Sequence, residues 1–491
     1  MNIEEEYIKL IFGLKLKQIR TEKSLSLFGL SKLTNISKSY LNEIENGKKY
    51  PKTDKIALLS QVLDVPYDNM VSLKLDKNLA PLGEILQSKI LKEIPLDLFG
   101  IQEADLIDII SNAPAKVSAF LSTLIEIAQN YNLSRESFFL AALRSYQEAH
   151  NNYFEDIELS VEQFAKAYHI NLKEKINSKD LEEILIEEFN YKILDDRLNS
   201  YPNLKELRCI FIPKPKVLLL NNTIDESQKA FILAKEIAYN YLKINERLYT
   251  FPWIKFESFD QVLNNFIASY FAGALLIPKK AIEKQLKTFF NTETWDGETF
   301  NKMITRFTDS PETYYQRLTN ILPKTFHLKN LFFLRFTNKN NENRYQLSKE
   351  LHITQQQPPT ANETHEHYCR RWISIEILNK VTKNEMISEI QISEYPDNNL
   401  KYLVISSATS DPFKENHNRS ISIGLLISPL LTSKLKFLNE ENINIKQVGV
   451  TCERCSITDC EVRFCEATEL LKKAKNEAIS NIVKQIFKDY S

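Results

Sequence analysis

Residues 24–63 read SLSLFGLSKLTNISKSYLNEIENGKKYPKTDKIALLSQVL, and their polar and apolar spacing predicts a compact group of short helices. Ser26 and Ser37 each precede an apolar-periodic run, which is where N-cap residues stand. Gly47 ends the second run, and a further helix is expected after the break at Pro51. The apolar residues expected in the core are Leu30, Leu33, Ile36, Leu41, Ile44, Ile56 and Leu59.

Charge supports a DNA-binding interpretation of this end of the chain. Two helices joined by a turn of about four residues form the helix-turn-helix unit, whose second helix enters the major groove. Residues 9–56 hold eleven Lys or Arg against four acidic residues, whereas the whole chain of 491 residues has a net charge of −1. A basic end on an otherwise acidic protein indicates a polyanionic partner. We predict an all-α domain at residues 8–75 that binds double-stranded DNA, with a helical dimerisation domain as the alternative.

The same stretch resembles the Cro/C1-type (XRE-like) helix-turn-helix domain. The residues that carry the resemblance are Leu27, Leu30, Ile36, Ser37, Tyr40, Leu41, Ile44, Glu45, Asn46, Gly47, Pro51 and Leu59. Phe28 departs from the family, which often has Gln at this position. The resemblance implies base-edge contacts for residues on the exposed face of the second helix, Lys38, Ser39 and Asn42. It implies phosphate contacts for Lys48 and Lys49.

Residues 76–158 show strong helical periodicity and carry no catalytic constellation. They are expected to form a helical linker and a dimerisation element, and the protein is expected to be a homodimer. In the next region, Arg208–Ile212 and Val217–Leu220 are two apolar runs separated by Pro-Lys-Pro, which predicts a hairpin. A helix is expected over residues 225–242, followed by a second, buried helix of small residues.

This order resembles the ImmA/IrrE-type zinc-peptidase domain, and we assign it to residues 159–325. The family carries HExxH on the first helix, with two His ligands on one face and Glu as the general base. Here the corresponding positions are Lys235, Glu236 and Tyr239, and Ile267 stands at the third ligand position. Because a zinc-activated water needs those ligands, the sequence predicts a degenerate, metal-free domain and no enzyme activity. The alternative is a metallopeptidase that cleaves a repressor.

The C-terminal region, residues 326–491, is expected to be an α+β domain. A strand pair spans residues 331–350, and the expected further strands are Ile390–Ser393, Tyr402–Ser406 and Ile421–Ile427. Four cysteines follow at Cys452-x2-Cys455-x4-Cys460-x4-Cys465. Clustered thiolates in a reducing compartment indicate an iron–sulfur cluster or, less well, zinc. Four unliganded thiols are the alternative.

The fourth ligand of such a cluster has two candidates. Cys465 is near in sequence but is expected to begin a helix, whereas Cys369 is distant and would tie two segments together. We therefore predict Cys369, with Cys452, Cys455 and Cys460. His365 and His367 stand close to Cys369 and are further possible ligands, although a polar loop also accounts for them.

Cys452, Cys455, Asp459-Cys460 and Arg463, with Cys369-x2-Trp372, resemble the short-chain fatty acyl-CoA-responsive transcriptional regulators. That bacterial family joins a Cro-like domain, a degenerate peptidase domain and a cysteine domain. The resemblance implies regulation of the glyoxylate shunt or the methylcitrate cycle, an acyl-CoA or CoA effector, and a four-iron cluster. A purely redox-sensing regulator is a further alternative.

The rest of the sequence excludes several classes of protein. The nine glycines include no pair at the spacing of a dinucleotide fingerprint or a phosphate-binding P-loop. No apolar run approaches the roughly 20 residues of a membrane span. The N-terminal residues do not follow the pattern of a signal peptide, so a cytoplasmic protein without a membrane partner is expected. The overall expectation is a multidomain chain: an all-α helix-turn-helix N-terminus, an α-rich zincin-like middle and an α+β C-terminal domain.

Overall fold

The structure is a computed structural model. It describes residues 3–72, 135–204, 206–251, 255–340, 342–353, 366–382, 385–412, 414, 416–441 and 443–489. The chain divides into two compact units, residues 1–142 and 143–491. The linker helices expected between residues 76 and 134 lie outside the described residues, as does His365. No helix in the described ranges is long and apolar enough to cross a membrane.

Residues 3–72, the part of the first unit before the undescribed stretch, form five helices. They are α1 (Ile3–Glu22), α2 (Leu27–Thr34), α3 (Lys38–Glu45), α4 (Thr53–Leu63) and α5 (Tyr67–Val71), and α5 is one that the sequence did not predict. Their buried core is formed by Phe12, Leu16, Leu30, Ile36, Leu41, Ile44, Ile56, Leu59, Leu63 and Met70. A Cβ atom at Gly13 would collide with the carbonyl oxygen of Ile44, so only glycine allows α1 and α3 to pack this closely.

Leu33 corrects the predicted core. It is 58% exposed, because the buried face of α2 is formed by Leu30 and Thr34, one helical turn apart. Leu33 lies to the side of that face. The other six residues predicted for this core are buried.

The second unit begins within α6 (Arg135–Ala149). Its helices are α7 (Glu155–Ala167), α8 (Ser178–Glu187), α9 (Glu226–Tyr241), α10 (Phe259–Leu276), α11 (Lys279–Phe290), α12 (Gly297–Thr305), α13 (Pro311–Thr325), α14 (Ile373–Glu376), α15 (Pro429–Lys434) and α16 (Thr468–Asp489). Its strands are β1 (Lys192–Leu194), β2 (Cys209–Ile212), β3 (Val217–Leu220), β4 (Thr250–Phe251), β5 (Leu331–Lys339), β6 (Tyr345–Ile353), β7 (Ile387–Tyr395), β8 (Leu400–Ser410), β9 (His417–Leu426) and β10 (Ile445–Gln447).

Two sheets organise these strands. The smaller has the order β1-β3-β2-β4, and its β2–β3 pair is the antiparallel hairpin predicted on either side of Pro-Lys-Pro. The larger has the order β10-β7-β8-β9-β5-β6, in which only β10 pairs in parallel with its neighbour. The pair predicted at residues 331–350 is β5–β6, and the three strands expected further on are parts of β7, β8 and β9.

Two hydrophobic clusters are described in this unit. One includes Phe332, Phe336 and Trp372, and the larger runs from α7 to the larger sheet and the segment around Phe437. A buried ion pair lies within the larger cluster. The guanidinium of Arg317 on α13 donates to both carboxylate oxygens of Glu158 on α7, at 2.5 and 2.9 Å, and the hydroxyl of Tyr270 donates to the same carboxylate. Burial alone would lower the pKa of Arg317, but the Glu158 carboxylate raises it above its ordinary value. The pair therefore fixes α7, α10 and α13 against one another.

The C-terminal helix α16 is different in character. None of its 22 residues is buried. Its exposed large apolar side chains are Leu470, Leu471, Ile479, Ile482, Val483, Ile486 and Phe487.

Candidate functional site

Local hydrogen bonds cap the N-terminal ends of α2 and α3. The Ser26 hydroxyl accepts from the backbone N–H of Gly29 at 2.9 Å, and the Ser37 hydroxyl accepts from the N–H of Tyr40 at 3.2 Å. Asn35 adopts the left-handed conformation with φ 53°, which Asn tolerates better than most residues. Both N-caps thus lie where the sequence predicted them.

The three residues assigned to base contacts share one surface of α3. Lys38, Ser39 and Asn42 are all exposed, while Leu41 and Ile44 on the opposite face are buried. Residues i and i+4 of a helix lie on the same face, so Lys38 and Asn42 project together. This surface is free to meet the edges of bases.

The two lysines assigned to phosphate differ in their surroundings. Both are exposed, but the ammonium of Lys49 lies 2.9 Å from the Glu43 carboxylate and 5.7 Å from the ring centroid of Tyr40. An exposed ion pair of this kind is weak and can be exchanged for a phosphate. A phosphate contact by Lys49 would therefore replace its pair with Glu43.

Helix α3 is anchored by an ion pair that the sequence did not predict. Arg20 on α1 donates to both carboxylate oxygens of Glu45 on α3, at 2.6 and 2.8 Å, and to the carbonyl oxygen of Leu25. The hydrogen bond that Arg20 donates to Glu45 raises the pKa of Arg20 above its ordinary value. Glu45 is 3% exposed, so this contact fixes the C-terminal end of α3.

In the second unit, α9 carries the degenerate peptidase positions. The helix begins with a capping box between Asp225 and Gln228, and Lys235, Glu236 and Tyr239 are all buried. Because Lys and Glu are seldom fully buried without partners, their contacts determine what this site can do.

The Glu236 carboxylate is occupied by partners within the chain. It accepts from the guanidinium of Arg247 and from the hydroxyl of Tyr191 at 3.0 Å. The Arg247 guanidinium lies between two rings, 4.1 Å from the centroid of Phe211 and 3.9 Å from that of Tyr239. Although burial opposes its charge, the Glu236 carboxylate raises the pKa of Arg247. A fixed organic cation thus lies beside the carboxylate that would serve as a general base.

Lys235 faces α10. Its ammonium donates to Oδ1 of Asn265 at 2.5 Å, and burial lowers the pKa of Lys235 to about 8. Ile267, the predicted counterpart of the third ligand, is half-buried on the same helix. Asn265 therefore contacts Lys235 directly, and the sequence did not predict this contact.

Little space remains at this site. The cavity bordered by Cys209, Lys235, Glu236, Tyr239 and Arg247 has a volume of about 10 Å³. That is about the smallest volume that can hold one water molecule. Burial also raises the pKa of the Cys209 thiol to about 12, so this cysteine is a poor nucleophile. The space beside α9 is therefore filled by the protein's own side chains.

The segment of residues 452–465, called the cysteine loop below, lies beside the segment that contains Cys369. The backbone N–H of Cys369 donates to the carbonyl of Val450 at 3.0 Å, and that of Cys452 donates to the carbonyl of His367 at 2.8 Å. Tyr368 and Thr451 form an antiparallel bridge between these bonds. Two segments about 80 residues apart are thus joined by backbone pairing, in the arrangement on which the Cys369 prediction depends.

The predicted thiols have surroundings suited to a thiolate centre. Cys369, Cys452 and Cys455 are buried, and Cys460 is half-buried. The Cys452 sulfur accepts from the N–H of Phe464 at 3.4 Å. Burial raises the pKa of Cys369 to about 11, while backbone N–H groups of Arg371 and Gly449 that donate to its sulfur act in the opposite direction. The Cys455 sulfur accepts a similar bond from the backbone N–H of Ile457. Backbone donors to sulfur tune thiolate-bound clusters, and these residues supply such donors.

Arg463 and Gly449 shape this loop. The Arg463 guanidinium donates to the carbonyls of Cys452 and Cys455 at 3.0 and 3.1 Å. A Cβ at Gly449 would lie 2.7 Å from the Cys455 sulfur, so any larger residue would displace that thiol. The loop is therefore held from both sides.

The sequence predicted that a helix begins at Cys465. This prediction is wrong, because α16 begins at Thr468. The Cys465 thiol instead donates to the Glu453 carboxylate at 3.1 Å and lies 3.9 Å from Nδ1 of His367. Burial and then Glu453 raise the pKa of Cys465 to about 12. Glu453 was missed because no sequence pattern separates it from an ordinary surface acid.

Comparisons with known proteins agree with two of these regions. Residues 16–69 match the family described as helix-turn-helix, and residues 183–319 match the IrrE N-terminal-like domain. A protein of Bacillus subtilis (strain 168), described as "Uncharacterized HTH-type transcriptional regulator RghRB", is 37% identical over 62 residues. Those residues are 12% of this chain and 45% of the relative, so this chain spans less than half of that protein's length.

A solved structure described as "Mycobacterium tuberculosis transcriptional regulator" is also similar. Its TM-score is 0.47 at 18% identity, over 66% of this chain and 92% of that one. The matched families confirm the two domain types predicted for the N-terminal and middle regions. The chain therefore joins a helix-turn-helix domain to an IrrE N-terminal-like domain.

Proposed function

We propose that this protein is a cytoplasmic transcriptional regulator that binds double-stranded DNA in a sequence-specific manner. The observation that carries the proposal is the exposed surface of Lys38, Ser39 and Asn42 on a helix fixed by the Ser37 cap and the Arg20–Glu45 pair. Such a helix can be placed in a major groove, with its polar side chains at base edges. The match to a helix-turn-helix family supports it.

The test is selection of bound sequences from a random DNA pool, followed by affinity measurements at several salt concentrations. Asn42→Ala should relax discrimination at one base pair, worth roughly 1–3 kcal/mol. Lys48→Ala with Lys49→Ala should weaken binding to all sequences and reduce the salt dependence by up to about two phosphate contacts. Equal losses for selected and random DNA in both variants would contradict the assignment.

The middle domain is, in this proposal, a pseudo-peptidase. Lys235 and Tyr239 stand where the family has zinc-binding histidines, and the Arg247 guanidinium pairs with Glu236. A metallopeptidase needs an open position for metal-bound water. Purified protein with Glu236→Gln should retain DNA binding, and wild-type protein should cleave no candidate repressor. Cleavage that depends on Glu236 would establish the metallopeptidase alternative instead.

The cysteine domain is proposed to hold an iron–sulfur cluster of four irons through Cys369, Cys452, Cys455 and Cys460, with zinc as the alternative. A cluster of this kind supplies a redox- and oxygen-sensitive group. The supporting observations are the three buried thiols and the backbone N–H groups directed at their sulfurs. Anaerobic spectra and metal analysis decide the matter: Cys369→Ser should lose the cluster signal. A signal that survives this change would remove Cys369 from the ligand set.

The effector is proposed to be a short-chain acyl-CoA or CoA, as the resemblance in the cysteine domain implies, and the regulator is proposed to act as a homodimer. A two-fold dimer would contact half-sites about one helical turn apart. Sedimentation of the protein–DNA complex tests the dimer, and DNA affinity with and without acetyl-CoA or propionyl-CoA tests the effector. Unchanged affinity with acyl-CoA, but altered affinity on oxidation, would favour the purely redox-sensing alternative.

A further inference from the structure

The side chains of His367, Glu453 and Cys465 form a cluster that includes none of the four predicted cluster thiols. Their ligand atoms all lie within 4.8 Å of one another. Nδ1 of His367 is 2.7 Å from Oε1 of Glu453, and the Cys465 sulfur is 3.1 Å from that oxygen and 3.9 Å from the same nitrogen. We propose that these three residues bind a single divalent transition-metal ion, of which zinc suits the donors best.

The donor set is the first argument. Imidazole nitrogen, carboxylate oxygen and thiolate sulfur are the three protein ligands of zinc, and three of them leave a fourth position open. A tetrahedral ion at the usual bond lengths would separate the nitrogen and oxygen by about 3.4 Å, and the sulfur from either by about 3.6 Å. Each observed separation is within about 0.7 Å of these values, so small side-chain rotations complete the site.

The surroundings are the second argument, since metal ligands are normally held by outer partners. The second carboxylate oxygen of Glu453 accepts from the backbone N–H of His367 at 2.9 Å, and Glu453 is 7% exposed. The His367 ring stacks on Phe464, with centroids 4.2 Å apart. Arg463, two residues before Cys465, is anchored on backbone carbonyls of the loop. All three ligands are therefore oriented before a metal arrives.

The site would tie two distant parts of the sequence. His367 precedes Cys369 on one segment. Glu453 and Cys465 lie near the two ends of the cysteine loop, which leads into α16. Binding would replace the thiol proton that Cys465 now donates to Glu453, and that proton would leave to solvent. Since Cys465 is used here, it is not the fourth ligand of the thiol cluster. The proposal does not depend on DNA binding or on any cluster.

The test uses the full chain, washed with a chelator and titrated with Co²⁺, whose thiolate charge-transfer and visible bands report coordination. Wild-type protein should bind one equivalent of Co²⁺ at this site. His367→Gln, Glu453→Gln and Cys465→Ser should each abolish that binding or weaken it by more than roughly a hundredfold. Glu461→Gln is the matched control, because it removes an exposed carboxylate of the same loop outside the trio, and it should retain that equivalent. Far-UV circular dichroism of each metal-free variant confirms folding.

X-ray absorption at the zinc edge supplies the second measurement. The equivalent that Cys465→Ser removes should have one sulfur neighbour, with nitrogen and oxygen completing its shell. The proposal is overturned if His367→Gln and Glu453→Gln bind Co²⁺ as wild type does. It is equally overturned if the lost equivalent has three or four sulfur neighbours, because Cys465 would then belong to the thiol cluster.

Discussion

Replacing Arg247 with Met tests whether an internal ion pair holds the degenerate peptidase site together. Arg247 and Glu236 are 7% and 3% exposed, and the replacement keeps most of the side-chain volume while removing the charge. Glu236 would keep the hydroxyl of Tyr191 as a donor but lose its cation. Breaking a buried pair in this way costs about 3–5 kcal/mol, so we expect a loss of about 4 kcal/mol in the free energy of unfolding.

The measurement is urea denaturation followed by tryptophan fluorescence. All three tryptophans, Trp253, Trp295 and Trp372, lie between residues 143 and 491 of the sequence, so the signal reports on that part of the chain. A loss of this size should move the transition midpoint by more than about 1 M urea. The matched control is Lys229→Met on the same helix, which breaks the half-buried pair with Glu182 and should cost less than about 1 kcal/mol.

A double-mutant cycle separates the ion pair from simple loss of packing. Glu236→Gln alone leaves the Arg247 guanidinium buried without its carboxylate, and the double variant removes both charges. The double variant should therefore be more stable than the sum of the two single losses predicts, by up to about 3 kcal/mol. Additive losses, or an Arg247→Met midpoint equal to that of Lys229→Met, would refute the reasoning.

Three further changes test other parts of the structure. Arg20→Met leaves Glu45 buried without its cation and should destabilise the N-terminal unit by about 3–5 kcal/mol, seen as faster amide hydrogen exchange in α3 of the full chain. Gly424→Ala places a Cβ against the ring of Phe332 on the neighbouring strand and should cost about 1–3 kcal/mol, part of which Phe332→Leu recovers. Burial lowers the pKa of Lys235 to about 8, so between about pH 8 and 10.4 the folded state holds fewer protons than the unfolded chain and gains stability as pH rises. That gain, measured by urea titration across the range, should be absent in Lys235→Met.

The N-terminal unit could be predicted from sequence because its determinants are local. The Ser26 and Ser37 caps lie within three residues of the N–H groups that they accept from. The predicted burial of Leu33 was wrong because no local feature of the sequence shows whether a single apolar residue at the edge of a helix face is buried. The Arg20–Glu45 pair joins residues 25 positions apart, and nothing in the intervening sequence indicates it.

In the second unit too, local features were predicted from the sequence, whereas contacts between distant residues were missed. Alternation predicted β5 to β9, since strand periodicity is a local property. Arg247 and Asn265 were missed because their partners on α9 lie 11 and 30 positions away. His367 was noted as a possible ligand through its closeness to Cys369, but its contacts with Glu453 and Cys465 depend on the pairing of segments more than 80 residues apart.

The sites of this unit differ in whether they can respond to a ligand. The α9 site is closed: its carboxylate is neutralised by an arginine of the same chain, and the remaining cavity is no larger than a water molecule. The cysteine loop instead offers donors that an ion could use. Structural zinc ions bind with about 10–16 kcal/mol, whereas a tenfold change in DNA affinity needs only about 1.4 kcal/mol of that to differ between two conformations. The binding energy of the proposed ion would therefore be large enough for a switch, because losing the ion would remove one of the ties between the segments joined at Tyr368 and Thr451.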